Sequence, residues 1–187
     1  KAVLEDQDGR PKADPTRVKI LTQTGGAMTD SRLVTGLVLG KQRVNDAMPK
    51  HIKAGKVALV DGGLERRELM GNVTLNVTGT GVLESFRQEE KRLLTEQVQH
   101  LIDLGVTLFA CKDGIDDDMH GLLSKAGIQA YRRVARSDLD LLARGCGATL
   151  SYDVKSLHES DLGAFISSKN ERWDGTMHWI VQTEEGG

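Results

Sequence analysis

Aromatic residues are scarce in this 187-residue chain, at 4% for Phe, Trp and Tyr together. The core is therefore expected to rest on Leu, Val, Ile and Ala. Proline is rarer, at 3 residues, and 39% hydrophobic against 28% charged is the balance of a folded domain. That excludes a disordered, collagen-like or low-complexity chain. With 2 cysteines there is no disulfide framework. The longest apolar runs, such as Val57–Val60 and Val106–Cys111, fall far short of the roughly 20 residues that span a bilayer. No charge of one sign dominates: the formal net charge is −2, with no basic stripe to attract a nucleic acid. The chain starts at Lys1 and shows no secretory leader. It reads as an intracellular, cytoplasmic fragment of something longer.

What is present is a change of rhythm. Residues 1–16 are polar and aperiodic and read as a loop or frayed arm. Val18–Thr24 and Leu33–Leu39 look like strands on either side of Gly25-Gly26, and Lys56–Val60 like a short buried strand. Asn72–Thr78 alternates cleanly, with Val73, Leu75 and Val77 on one face. After Gly79-Thr-Gly81 the residues Val82, Leu83, Phe86, Leu93, Leu94, Val98, Leu101 and Ile102 recur at steps of three and four. That spacing predicts an amphipathic helix of about six turns, ended by Gly105. Strand-helix-strand-helix-strand follows, over Val106–Cys111, Met119–Ala126, Ile128–Val134, Leu139–Cys146 and Ala148–Tyr152. Such alternation predicts right-handed crossovers onto a parallel sheet. Ala164–Ser167 and Thr176–Gln182 return as strands with no helix between them, so they are expected to pair antiparallel, beside the first two strands. The fold class is α/β, a central sheet flanked by helices.

Catalytic chemistry is hard to find. Gly79–Glu84 has Glu where a dinucleotide fingerprint needs its third Gly, and Gly145–Leu150 follows a helix instead of a strand. There is no P-loop and no nucleophile elbow, and the five histidines are scattered. Asp113, Asp116, Asp117 and Asp118 with His120 lack the spacing of a calcium loop. Asp116 or Asp117 is better read as the cap of the helix that follows, and Asp138 as opening the later helix in the same way. Cys111 and Cys146 read as small buried hydrophobes. No active site, metal site or cofactor site is expected within the chain. The long helix is the feature left over. Packed throughout, it is core; projecting as an excursion from Gly71 to about Leu94, it would expose an apolar tip of the kind that marks interaction sites.

The run Thr24-Gly-Gly-Ala-Met-Thr-Asp-Ser-Arg-Leu-Val-Thr-Gly36 resembles the entry to the apical domain of group II-type chaperonins, the thermosome family. Met48-Pro49, Ala58–Asp61, Leu64-Glu65, Phe86–Glu90, Gly114–Asp117 and Lys125–Ile128 continue the likeness in family order. So do Arg132–Val134, Ser137-Asp138, Gly147-Ala148 and Asp161–Gly163. Cys111-Lys-Asp-Gly114, Asp118-Met-His-Gly121, Gly62-Gly63, Gly81 and Ser85 depart from the usual pattern. They resemble a divergent member, in the manner of the bacterial branch sometimes called group III.

The resemblance implies the apical domain (46–169) of a double-ring, ATP-driven folding cage. Intermediate-domain segments would be 1–45 and 170–187, and the helical lid protrusion 71–98. ATP and Mg would belong to the intact parent, whose nucleotide loop and catalytic Asp lie outside this chain; the fragment itself would be no enzyme. Partners would be non-native polypeptides and neighbouring subunits. Val82, Leu83 and Phe86 would lie near the lid tip, and Asp138, Leu141 and Arg144 on a cavity-lining helix over 137–144. Two other classes stay open. One is a stand-alone α/β ligand-binding or regulatory domain whose long helix is core; the other is a metal-dependent enzyme built on Asp113 and Asp116–Asp118.

Overall fold

A computed structural model describes residues 4–7, 10–13, 18, 20–22, 24–65 and 80–184, the side chains of 4–7, 10–13 and 80–83 excepted. In chain order the strands are β1 (Leu4–Gln7), β2 (Arg10–Ala13), β3 (Leu37–Leu39), β4 (His51–Val60), β5 (Val106–Cys111), β6 (Gln129–Tyr131), β7 (Leu150–Ser151), β8 (Gly163–Trp173) and β9 (Thr176–Gln182). The helices are α1 (Thr80–Asp103), α2 (Asp117–Lys125) and α3 (Arg136–Cys146). β1 and β2 form an antiparallel pair of their own, where a loop was expected. The other seven strands form one sheet in the order β3-β9-β8-β4-β5-β6, with β7 attached to β4.

The expected parallel unit is present. β4 pairs parallel with β5, β5 with β6, and β4 with β7. The strands are buried on both faces, as crossover helices require, and the period of two sorts their side chains. Ala58, Val60, Phe109, Cys111 and Ala130 join one cluster with Leu94, Val98 and Leu101 of α1 and Met119 and Leu123 of α2. Val57, Leu59, Leu108, Ala110 and Tyr131 join a second cluster with Leu139, Leu142 and Cys146 of α3. β8 and β9 pair antiparallel as expected, and β3 lies against β9. Gly36 introduces β3 at φ 126°, and a Cβ there would strike the Val181 carbonyl, so only Gly lets β3 lie this close to β9.

The sheet does not stay flat. β9 and β6 are four strand steps apart, about 19 Å at the usual 4.7–4.9 Å spacing. Yet Trp179 of β9 stacks on Tyr131 of β6, ring centroids 3.7 Å apart and planes within 11°. The stack therefore needs a sheet curled until its two halves meet. Hydrogen bonds follow the same path. The Trp179 indole donates to Ser168 Oγ at 2.8 Å, Ser168 donates to Gln129 at 2.6 Å, and the Tyr131 hydroxyl donates to Asn170 at 2.9 Å. The segment after β3 then covers the outer edge of β6: the Val44 amide donates to Ala130 O at 3.0 Å and Gln129 Nε2 to Pro49 O at 2.7 Å. An exposed strand edge is thereby removed. The aromatics, though few, supply three of the largest fully buried side chains, Trp179, Tyr131 and Phe109. The aliphatic core expected from composition is thus correct in number but not in its centre.

Several expected elements differ. Among the described residues of Val18–Thr24 there is no strand, and Val18, Ile20 and Leu21 are exposed. An apolar run makes a strand only where another strand is available to pair with it. Of Leu33–Leu39 only Leu37–Leu39 is a strand, while Lys56–Val60 extends back to His51 and Ala164–Ser167 runs from Gly163 to Trp173. The alternating Asn72–Thr78, and with it residues 71–79 of the excursion expected from Gly71 to about Leu94, lie outside the described residues.

The end of the β8–β9 hairpin is held by charge. Glu171 accepts hydrogen bonds from Lys169 and Arg32 and from the Trp173 indole at 3.0 Å, and Arg32 also lies over the Trp173 ring. Partial burial pushes the Glu171 carboxyl up, but those donors outweigh it and hold its pKa at about 2.

Two outcomes follow for stability. Trp179→Ala should cost about 3–5 kcal/mol, read as a lower denaturation midpoint in urea. Because the folded pKa of Glu171 is depressed, its contribution is present above pH about 4.5 and fades as pH falls towards about 2. Denaturation at pH 6 should separate wild type from Glu171→Gln by about 1–3 kcal/mol, discounted for partial exposure. Below pH about 2 the two curves should merge.

Candidate functional site

Right-handed crossovers place α1 and α2 on one face of the parallel unit and α3 on the other, because the chain reverses direction between β6 and β7. The carboxyl ends of β4 and β7 flank that reversal, the position where open α/β sheets carry a ligand crevice. Here the position is filled. Asp61, just past β4, pairs with Arg136 at the start of α3, and the Lys112 ammonium lies 3.2 Å from its Oδ1, outside hydrogen-bond geometry. The Asp61 amide donates to Ser151 O at 2.8 Å. A Cβ on Gly62 would lie 2.9 Å from the Tyr152 carbonyl, so the two loops close directly on each other. The pairing closes the crevice and leaves a surface around it.

One part of that surface is the outer face of α3. Leu139, Leu142 and Cys146, three and four apart, are buried against the sheet. That turns the expected set outward: Leu141 is 39% exposed, Arg144 is exposed and Asp138 is half-buried. Spaced three apart, they lie along one broad arc of the helix. Asp138 does not open the helix, however. The N-cap is Ala135, without a side-chain cap, because α3 begins two residues earlier, at Arg136. Asp138 sits in the first turn and Arg144 in the last, both favourable to the helix dipole. Arg136 spans from Asp61 to Asp140, the latter at 3.2 Å, and so fixes the helix start to the end of β4. Tyr152, expected as strand, instead follows β7 and is 70% exposed. A single aromatic at a strand end gives no sequence signal of exposure, and Arg136 was equally hidden among many surface arginines.

The second part is α1. Its 24 residues make a helix about 36 Å long. Every described side chain from Glu84 to Glu89 is exposed, and full burial begins only at Leu94. Phe86, 48% exposed, forgoes part of the roughly 1.5–3 kcal/mol that burial of such a ring supplies. Val82 and Leu83 fall within the helix, but their side chains lie outside the described ones. The helix begins at Thr80, inside the Gly79-Thr-Gly81 after which its spacing was expected to start. Among the described residues no core lies beneath this stretch, and local pairs support it: Arg92 bridges Glu89 at 2.6 Å and also meets Glu96. The Arg92 hydrogen bond lowers the Glu89 pKa. Lys91 reaches Asp118 of α2 at 3.4 Å, where the packed half of α1 begins.

The remaining candidates resolve as structure. Asp116 is the N-cap of α2, accepting from the Asp118 amide, as expected. Asp117 lies 3.6 Å from His120 and 4.0 Å from Arg132. No group of three or more His, Cys, Asp or Glu among the described residues is arranged to hold a metal. Gly147 takes the left-handed conformation at φ 66° that ends α3, its amide bonded to Ala143 O. It is a helix cap, so Gly145–Leu150 offers no phosphate cradle. Both cysteines are buried; burial pushes Cys111 up to about 12, with Asp113 and Glu65 adding to it, and Cys146 up to about 11. No helix among the described residues is long and apolar enough to cross a membrane.

Comparison with known proteins agrees with this geometry. Residues 1–186 match the model of the TCP-1/cpn60 chaperonin family. The chain is 36% identical over 163 residues to thermosome subunit alpha of Archaeoglobus fulgidus, covering 87% of this chain and 30% of that protein. Against thermosome subunit beta of Methanothermobacter thermautotrophicus it is 32% identical over 181 residues, 96% of this chain and 33% of the relative. An open-state monomer of a group II chaperonin from Methanococcoides burtonii superposes with a TM-score of 0.76 at 26% identity, covering 97% of this chain and 39% of that one. The chain belongs to the TCP-1/cpn60 chaperonin family, and its relatives place it with the group II chaperonins. It spans about a third of the length of the relatives it matches.

If the cysteines are core, iodoacetamide at pH 8 should leave both unmodified in the native chain and alkylate both in urea, as read by mass spectrometry. Native alkylation of Cys111 would contradict its burial.

Proposed function

We propose that this chain is the client-binding and built-in-lid portion of an ATP-dependent chaperonin that captures non-native proteins and encloses them. The observation that carries the reading is the run Glu84–Glu89 of α1, exposed throughout with Phe86 in it and covered by no core among the described residues. In this reading 46–169 is the apical domain, with 71–98 as its protrusion, and 1–45 and 170–187 lead to the intermediate domain. Val82, Leu83 and Phe86 form the tip that touches clients in the open cage and neighbouring subunits in the closed one. Asp138, Leu141 and Arg144 form a mixed polar and apolar face towards the cavity, and Tyr152 beside the end of β4 adds an aromatic contact.

The chemistry suits a promiscuous binder. A non-native chain is recognised by apolar area instead of shape, so a few exposed apolar side chains set among charges bind many sequences weakly. ATP and Mg act in the remainder of the cytoplasmic parent, and they favour closure only by contacts that differ between the open and closed rings. The stand-alone ligand-binding reading is less well supported, because the crevice it would use holds the Asp61–Arg136 pair.

In the assembled parent ring, Leu83→Ser with Phe86→Ser should lower capture of a denatured client several-fold and slow lid closure, while leaving the α/β core intact by circular dichroism. Capture and closure both unchanged would overturn the assignment of the tip.

A further inference from the structure

At the opposite end of β4 from the loop that leads to α1 lies an open depression of about 570 Å³ between β4, β8 and β9. Its rim carries the ammonium groups of Lys50, Lys53 and Lys169, with His51 among them. Lys50, His51 and Lys53 are exposed, and Lys169 stands opposite His51 in the antiparallel register. The single carboxylate inside, Glu171, already accepts from Lys169, Arg32 and the Trp173 indole. Among the described residues, Lys50 and Lys53 have no carboxylate within ion-pair distance. The floor is satisfied as well, Ser167 donating to Gln182 at 2.5 Å. Uncompensated positive charge is thus concentrated in one place on a chain whose formal net charge is −2.

The geometry points to a docking site for an extended acidic polypeptide segment, with carboxylates at every second residue. The reason is the spacing. His51 and Lys53 are two apart on β4, so an imidazole N–H donor and an ammonium project from one face about 6.8 Å from each other. An extended chain laid along β4 presents alternate side chains at that same interval. A single compact anion spans only one of the two positions, and the depression is open. The attraction is electrostatic and solvent-exposed, so it provides orientation and rate more than tight affinity, and salt screens it. The site shares no residue with the α1 tip or the outer face of α3, so it stands or falls independently of the lid assignment.

The test uses the 187-residue chain and a fluorescent peptide of five Glu-Thr repeats, read by anisotropy at 50 mM salt. Saturable binding is expected, weakening at 300 mM salt, with a roughly tenfold loss in the Lys50→Glu, Lys53→Glu double variant. Phe86→Ser and Leu141→Ser should bind like wild type, which separates this site from the client surface. A block peptide of five Glu followed by five Thr should bind more weakly. Three results would overturn the proposal: no saturable binding, binding indifferent to the charge reversal, or inorganic tripolyphosphate binding more tightly than the alternating peptide.

Discussion

Everything in this fold hangs on bringing β6 and β9 together. Neighbouring strands twist, and a twisted sheet of this width either splays or closes. The Tyr131–Trp179 stack, with Ser168, Gln129 and Asn170 beneath it, selects closure. Once the sheet is curled, α3 has a concave face to lie against, and the 41–49 segment is short enough to cross from one edge to the other. The burial of Tyr131, which pushes its phenol far up, is the electrostatic trace of how dry that junction is. Few aromatics are needed because the ones present sit where two distant strands must touch.

The filled crevice and the uncovered helix are two sides of one design. An α/β unit of this topology offers a ligand pocket at its point of reversal. Here Asp61, Arg136 and Lys112 occupy it, and the exposed apolar side chains Leu141 and Phe86 lie outside it, on a helix face and towards a helix end. A pocket selects by shape; a convex surface with scattered apolar groups selects by area. For the client-binding role proposed above, the second property is the useful one.

The sequence showed much of this plainly, for reasons that can be named. Val106–Cys111 was legible to the residue because an unbroken apolar run flanked by turn residues has one stable use, a strand covered on both faces. Gly105, Gly127 and Gly147 marked the helix ends because each takes the left-handed conformation that stops a helix. Leu141 and Arg144 faced outward because Leu139 and Leu142 could not. What stayed hidden depends on distant partners. Leu4–Ala13, polar and containing Pro11, pairs within itself. Val18–Thr24 looks like a strand and finds no ladder among the described residues. The polar half of β8, Lys169–Trp173, is held as strand by its hairpin partner and not by apolar alternation. Nor does any local pattern show that Tyr131 will meet Trp179.

β4 is bonded along both of its edges, to β5 on one side and to β8 and then β7 on the other. α1 feeds into β5 through only the short turn at Leu104 and Gly105. A load carried down that helix therefore enters the sheet at β5, a strand bonded on both edges, to β4 and to β6. In mechanical language the helix is an arm joined to a plate that is braced from both sides.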